Sequence, residues 1–267
     1  MLADPYDAIL LDLDGVLYRG PEPIPGAPDA VARLRGAGKR LAFVTNNASR
    51  TPAQVAERLA AVGVDVAEAE VVTSALATAT LLASRGVRSA FVVGEEGLIE
   101  ALADVGIGVS VDGSGRPDAV VVGFDRHVDY DKLKDASVLV AAGVPLIASN
   151  ADASFPAPGG EAWPGAGALV AAIERTTRMV AEVVGKPEAP LLERALAAAG
   201  GGRPLVVGDR LDTDIAGAVR LGWDSALVLT GVATAAEVDD SPWRPTFVVD
   251  SLARIAEPTA PATATVS

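Results

Sequence analysis

The sequence predicts an α/β fold with a mainly parallel sheet. Short runs rich in β-branched residues or leucine alternate with longer alanine-rich stretches, the rhythm of strand and helix in such folds. Half of the 267 residues are hydrophobic while only 4 % are aromatic, which suits a core of Ala, Val, Leu and Ile at close helix–strand distances. Four segments near the ends of apolar runs are polar, and ligands of open α/β sheets bind at strand carboxyl ends.

The first strand is expected at Ala8–Leu11, an unbroken apolar run, followed by a helix at Pro28–Gly36 and a strand at Arg40–Thr45. Helices at Pro52–Val62 and Thr73–Arg85 come next, then a strand at Ala90–Val93 and a helix at Gly97–Val105. Strand Ala119–Val122, helix Tyr130–Ala142, strand Pro145–Ala148 and helix Gly165–Thr176 continue the alternation. Helix Ala189–Ala199, strand Leu205–Val207, helix Thr213–Leu221 and strands Ser225–Leu229 and Phe247–Val249 complete it. Several helices open after Ser, Thr or Asp and close at Gly, as caps require. The tail EPTAPATATVS from Glu257 is rich in Pro, Thr and Ala without apolar periodicity and is expected to be disordered.

Composition narrows the chemistry. A net charge of −13 argues against nucleic acid or an anionic membrane as partner. An acidic chain that handles phosphate must reverse the potential locally, with a metal ion or a lysine. The absence of cysteine removes disulfides, thiol catalysis and Cys-ligated metals. A single histidine, His127, excludes multi-histidine metal sites. The N-terminus lacks a basic region before its apolar run and no stretch reaches transmembrane length, so a cytoplasmic protein is the expectation.

Four segments carry candidate chemistry. In AILLDLDGVL (8–17), Asp12 and Asp14 leave a strand end on the same side, and Gly15 lets the chain turn and a ligand approach. Two such carboxylates repel unless a cation or a shared proton lies between them, and an acidic turn is the plainer alternative. In LAFVTNNAS (41–49), Thr45, Asn46 and Asn47 suit phosphate oxygens or an ordinary Asx turn. In VVGKPEAP (183–190), Lys186 precedes Pro187 on a restricted backbone, and is otherwise a solvated surface lysine. In LVVGDRLDTDI (205–215), Asp209, Asp212 and Asp214 attract a hard divalent cation or complement a helix dipole. Calcium-loop, P-loop and G-x-G-x-x-G readings fail on their letters; the calcium loop, for instance, finds Val16 and Pro23 where oxygen ligands are needed.

In order, the clusters read D-x-D-G, T-N-N, K-P and G-D-x-x-x-T-D. This set resembles the haloacid dehalogenase-like (HAD) phosphohydrolase superfamily over nearly the whole chain. The insert between the second and third clusters, with GFDRHVDYDKL (123–133) and PGAGALVAAIE (164–174), resembles the α/β cap of the NagD-like, or nitrophenylphosphatase, class. TNNASR and VVGDRLDTDI resemble glycerol-3-phosphate phosphatase-type members.

The resemblance implies a Rossmann-like parallel-sheet core from residues 1–75 and 183–256, an inserted α/β cap over about 76–182, and a tail at 257–267. It implies a magnesium-dependent phosphatase of small phosphorylated metabolites. Glycerol 3-phosphate is the first choice; phosphoglycolate, pyridoxal phosphate, nucleotide and sugar phosphates are alternatives, and a phosphomutase a remoter one. Asp12 would be the nucleophile and Asp14 the general acid and base. Magnesium would be held by Asp12, the Asp14 backbone carbonyl and Asp209. Thr45, the Asn46 amide and Lys186 would bind the phosphoryl group, with Asp214 and Asp212 behind them and Asn47 linking site to cap. Asn150, Asp152, Trp163 and His127 would read the leaving group from the cap. Many relatives have Asn-Pro-Asp where this chain has Asn150-Ala151-Asp152, and an aliphatic residue at Trp163, which bears on substrate and leaves the chemistry intact. A homodimer is expected by analogy with caps of this class.

Overall fold

A computed structural model describes residues 1–113, 115–156 and 161–258. The chain opens with β1 (Ala8–Asp12), the short hairpin β2 (Tyr18–Arg19) and β3 (Glu22–Pro23), α1 (Ala27–Gly36), β4 (Arg40–Thr45), α2 (Pro52–Ala61) and β5 (Val71–Thr73). Then come α3 (Ser74–Ser84), β6 (Ser89–Val93), α4 (Glu96–Asp104), β7 (Gly108–Ser110), β8 (Ala119–Val122), α5 (Tyr130–Ala141) and β9 (Leu146–Ala148). The hairpin β10 (Ser154–Pro156) and β11 (Ala162–Pro164), α6 (Ala166–Thr177) and β12 (Glu182–Val183) follow. The last part holds α7 (Ala189–Ala198), β13 (Pro204–Gly208), α8 (Ala216–Leu221), β14 (Asp224–Val228), α9 (Ala235–Asp240), β15 (Phe247–Val249) and α10 (Leu252–Ile255).

Two parallel sheets result. One has the order β15-β14-β13-β1-β4-β5 and the other β12-β9-β8-β6-β7. Side chains alternate across the first sheet as the pleat requires: Ile9, Leu11, Phe43 and Val207 pack on one face, Ala8, Leu10, Val44 and Val206 on the other. The second set shares one buried cluster with Val92, Val121 and Ile147 of the smaller sheet, joined through Leu82 of α3 and Leu98 of α4. The two sheets are therefore fused through a common apolar seam. The far face of the smaller sheet packs on α5 and α6 through Phe91, Val93, Val120, Val140 and Ile173.

Several elements differ from expectation. The helix expected from Thr73 starts at Ser74, because Thr73 ends β5 and caps α3 with its Oγ1 accepting from Leu76 N at 3.2 Å. The smaller sheet uses strands from Ser89 to Val183, so Val183, paired with Ala148, lies one residue beyond the expected cap. The expected boundary at residue 76 falls inside α3, which packs on both α4 and α7. A π-helical turn over Leu211–Ile215 precedes α8 in place of a single helix from Thr213. The expected disordered tail lies, from residue 259 onward, outside the described residues. Among the described residues no helix is long and apolar enough to cross a membrane.

Candidate active site

The carboxyl ends of β1, β4 and β13 lie side by side in the larger sheet, which brings Asp12, Thr45 and Asp209 to one edge. Lys186 reaches the same edge from the segment between β12 and α7. Its Nζ donates to Asp12 Oδ1 at 2.5 Å and to Asp214 Oδ1 at 2.6 Å, and the residue is only 4 % exposed. Oxygens of Asp12, Asp209 and Asp214 all lie within 4.8 Å of one another.

Glycine is required around this cluster. A Cβ on Gly15, which has φ +77°, would lie 2.4 Å from Asp209 Oδ2, and one on Gly231 would lie 1.9 Å from it. The pressed carboxylate also accepts from Val232 N at 2.8 Å.

Charge in the cluster is unbalanced. Two buried carboxylates, Asp209 and Asp214, and the partly buried Asp12 face one ammonium. Burial drives the Asp12 pKa well up, against the pull of Lys186, and Asp214 and Asp209 push it further. Burial and the Asp214 charge raise Asp209 to about 6. Burial works against the Lys186 ammonium, but Asp12 and Asp214 outweigh it and hold the lysine protonated. One divalent cation would balance the surplus, and an all-oxygen set suits magnesium or calcium. The donor set therefore fits the expected ion.

A cavity of about 340 Å³ opens over the cluster. Asp14 borders it and is exposed to it, with its pKa raised by desolvation in the cleft and opposed by the Arg58 and Arg19 guanidinium groups. Arg58 donates to the Gly20 carbonyl at 3.0 Å and stacks 4.5 Å from the Tyr18 ring centre, while Arg19 donates to the Thr230 and Gly231 carbonyls. The two arginines thus pin the β2–β3 hairpin beside the cleft. Thr45 lines the cleft, and its Oγ1 accepts from Asn47 N at 3.1 Å.

Other expected site residues have different tasks. The Asn46 side-chain amide is bonded to the Lys186 backbone and to Asp152, so it is engaged within the protein. Asn47 borders the cleft and accepts at Oδ1 from Ser49 N and Oγ, an Asx turn whose Ser49 carbonyl accepts from Gly97 at the start of α4. From the cap, Asn150, Asp152 and Phe124 reach the cleft.

Three residues do not reach it. The π-helical turn directs Thr213 and Asp214 inward and leaves Asp212 exposed, paired with Arg210 at 2.9 Å. His127 is exposed, its backbone N–H held by Asp125 Oδ1 at 2.8 Å. Trp163 is 45 % exposed and donates its ring N–H to Glu161 at 2.9 Å. Conversely, Phe124, Arg50, Arg58 and Arg210 line the cleft without having been expected there. Phe124 follows Gly123 at the end of β8, so the strand-end rule that found the acidic residues also pointed to it.

Comparison with known proteins gives the family. Residues 9–108 match the Haloacid dehalogenase-like hydrolase family and residues 183–255 match the HAD-hydrolase-like family. The chain is 36 % identical to 5'-nucleotidase YutF of Bacillus subtilis, over 92 % of this chain and 96 % of that protein. It is 37 % identical to acid sugar phosphatase of Staphylococcus epidermidis, over 91 % of this chain and 93 % of that one. It is 39 % identical to D-glycerol 3-phosphate phosphatase of Mycobacterium tuberculosis, over 92 % of this chain and 70 % of that one. The solved structure of glycerol phosphate phosphatase Rv1692 from M. tuberculosis in complex with magnesium superposes with a TM-score of 0.90 at 38 % identity, covering 96 % of this chain and 78 % of that one. With fold, motif order and full-length likeness in agreement, the chain belongs to the haloacid dehalogenase-like hydrolases, among their NagD-like phosphatases.

Proposed function

We propose that this enzyme is a magnesium-dependent phosphatase of small phosphomonoesters that works through an aspartyl-phosphate on Asp12. The observation that carries the reading is the bridge from the buried Lys186 to Asp12 and Asp214, with a second carboxylate, Asp14, two residues from the nucleophile and open to the same cleft. Asp12 Oδ attacks phosphorus, forming the Asp12–phosphorus bond as the ester bond breaks. Asp14 gives its proton to the departing alkoxide, and desolvation in the cleft, which raises its pKa, favours that protonated state. Asp14 then takes a proton from the water that attacks the phosphoenzyme, releasing inorganic phosphate and restoring Asp12. Lys186 offsets charge gathering on the phosphoryl oxygens, with Thr45 and the Asn46 backbone N–H beside it. Asp12, Asp209 and the Asp14 carbonyl would hold magnesium, with Asp214 behind them; the ion supplies positive charge at the phosphoryl group.

Glycerol 3-phosphate is the substrate we place first. Likeness to the mycobacterial D-glycerol 3-phosphate phosphatase supports it, as does a cavity at the small end of the range for ligand sites, roughly 300–1,000 Å³. Trp163 stands exposed outside the cleft and offers pyridoxal phosphate no surface there, whereas Phe124 and Tyr18 border the cleft and keep that substrate in the comparison. Pyridoxal phosphate, phosphoglycolate, sugar phosphates and nucleotides are the competitors to measure.

The test is phosphate release from these five substrate types at one pH, with magnesium and with EDTA, by wild type and Asp12→Asn. Release should require magnesium and fall to background in Asp12→Asn, with glycerol 3-phosphate highest in kcat/KM. Full activity in EDTA, or a tenth of wild-type kcat in Asp12→Asn, would remove the mechanism. A different leading substrate would remove only the substrate assignment.

A further inference from the structure

Three chain segments meet behind Lys186. Asn46 Oδ1 accepts from the Lys186 N–H at 2.8 Å, and Asn46 Nδ2 donates to the Lys186 carbonyl at 3.0 Å. One side-chain amide thus fixes both backbone polar groups of the residue whose ammonium bridges Asp12 and Asp214. The same Nδ2 donates to Asp152 Oδ1 at 3.1 Å, and Asn150 Nδ2 donates to the Asn46 carbonyl at 2.8 Å. Asn150 Oδ1 accepts from Asp152 N at 3.2 Å, closing the two cap residues into one turn that grips Asn46 at its side chain and its backbone.

The junction is tight as well as bonded. Asn46, Asn150 and Lys186 are 8 %, 3 % and 4 % exposed. A Cβ on Gly185 would lie 2.6 Å from the Ser149 carbonyl and 2.7 Å from Asn46 Oδ1, so backbone meets backbone with no space for a side chain. A group buried with its bonds directed into the protein discriminates poorly between leaving groups. It does control where its partners stand, and misplacement of a reacting group by an ångström is costly.

We propose that Asn150 and Asp152 are positioning residues: they hold Asn46, and through it Lys186, and do not select the leaving group. The cap thereby supplies part of the support of the catalytic centre. The proposal rests on the phosphatase reading above.

The experiment compares Asn150→Ala, Asp152→Ala and Asp152→Asn with wild type on glycerol 3-phosphate, phosphoglycolate and nitrophenyl phosphate, with orthovanadate as a probe of the phosphoryl site. Folding is checked by circular dichroism. Both alanine variants should lose about tenfold in kcat on all three substrates alike, with KM little changed and vanadate inhibition weakened by a similar factor, as expected for loss of one or two buried hydrogen bonds. Asp152→Asn keeps an acceptor oxygen for Asn46 and should stay within about threefold of wild type. That rescue is not expected if the residue selects substrate by its charge. A changed substrate ranking with unchanged vanadate affinity would overturn the proposal, as would Asp152→Asn falling as far as Asp152→Ala. Asp152 borders the open cleft, so its pair of variants decides the matter even if Asn150→Ala does not fold. Wild type inactive on all three substrates would overturn the phosphatase reading itself.

Discussion

Asp209 is 3 % exposed, enclosed by the backbone of Gly15 and Gly231, and its pKa stands at about 6 where an unfolded aspartate titrates near 4. Between those values the folded chain holds a proton that the unfolded chain has released. Without metal, stability from this residue is therefore present at low pH and lost as pH rises from about 4 to about 6, by up to roughly 1.4 kcal/mol per pH unit. Asp209→Asn cannot make that loss. The melting temperature of the metal-free variant should gain on that of wild type across this window, and magnesium at neutral pH should raise wild type alone. A constant difference from pH 4 to 6 would show that Asp209 ionises freely in the fold. The positions of Asp12, Asp14, Thr45 and Asp209, to which we assign the chemistry, were legible because each lies at or just beyond a strand end, where little but the strand decides its placement. Asp212, His127 and Trp163 were not legible: a π-helical turn, a loop around Asp125 and a hairpin set their directions, and none of these follows from residue type.

At the scale of elements, the longer strands and most helices were readable from apolar runs and caps. The misses are short or at edges. β5 has three residues directly before a helix, so Val71 and Val72 fall outside the expected strands and Thr73 inside the expected helix. The hairpins β2–β3 and β10–β11 and the edge strands β7 and β12 have two or three residues each, too few for a pattern of period two. The loop between β8 and α5 brings Phe124 to the cleft, while Asn150 and Asp152 turn toward Asn46. Phe124→Ala should change the ratio of kcat/KM between substrates by about threefold to tenfold, since discrimination lies in differential contact at the transition state. Thr45→Ala should lower all substrates together. An unchanged ranking in Phe124→Ala would place specificity with the arginines on the core side.

For the whole molecule, the apolar seam through Leu82 and Leu98 means that neither sheet completes its core alone. Thermal unfolding should therefore be one transition, with calorimetric and van't Hoff enthalpies in agreement. Leu82 is 1 % exposed, and Leu82→Ala should cost about 2–5 kcal/mol while moving probes in both sheets together. Two resolved transitions would mean that the seam is passive. The same seam governs how such a protein can be recombined. A cap taken from a relative and joined at the sequence boundaries would arrive with the wrong partner surface for Leu10, Val44 and Val206, and with the wrong turn beneath Asn46. Changing the loop that carries Phe124 should therefore alter substrate range with less disruption than exchanging the cap, and a chimera should keep its stability when α3, α4 and the 149–152 turn travel with their facing residues.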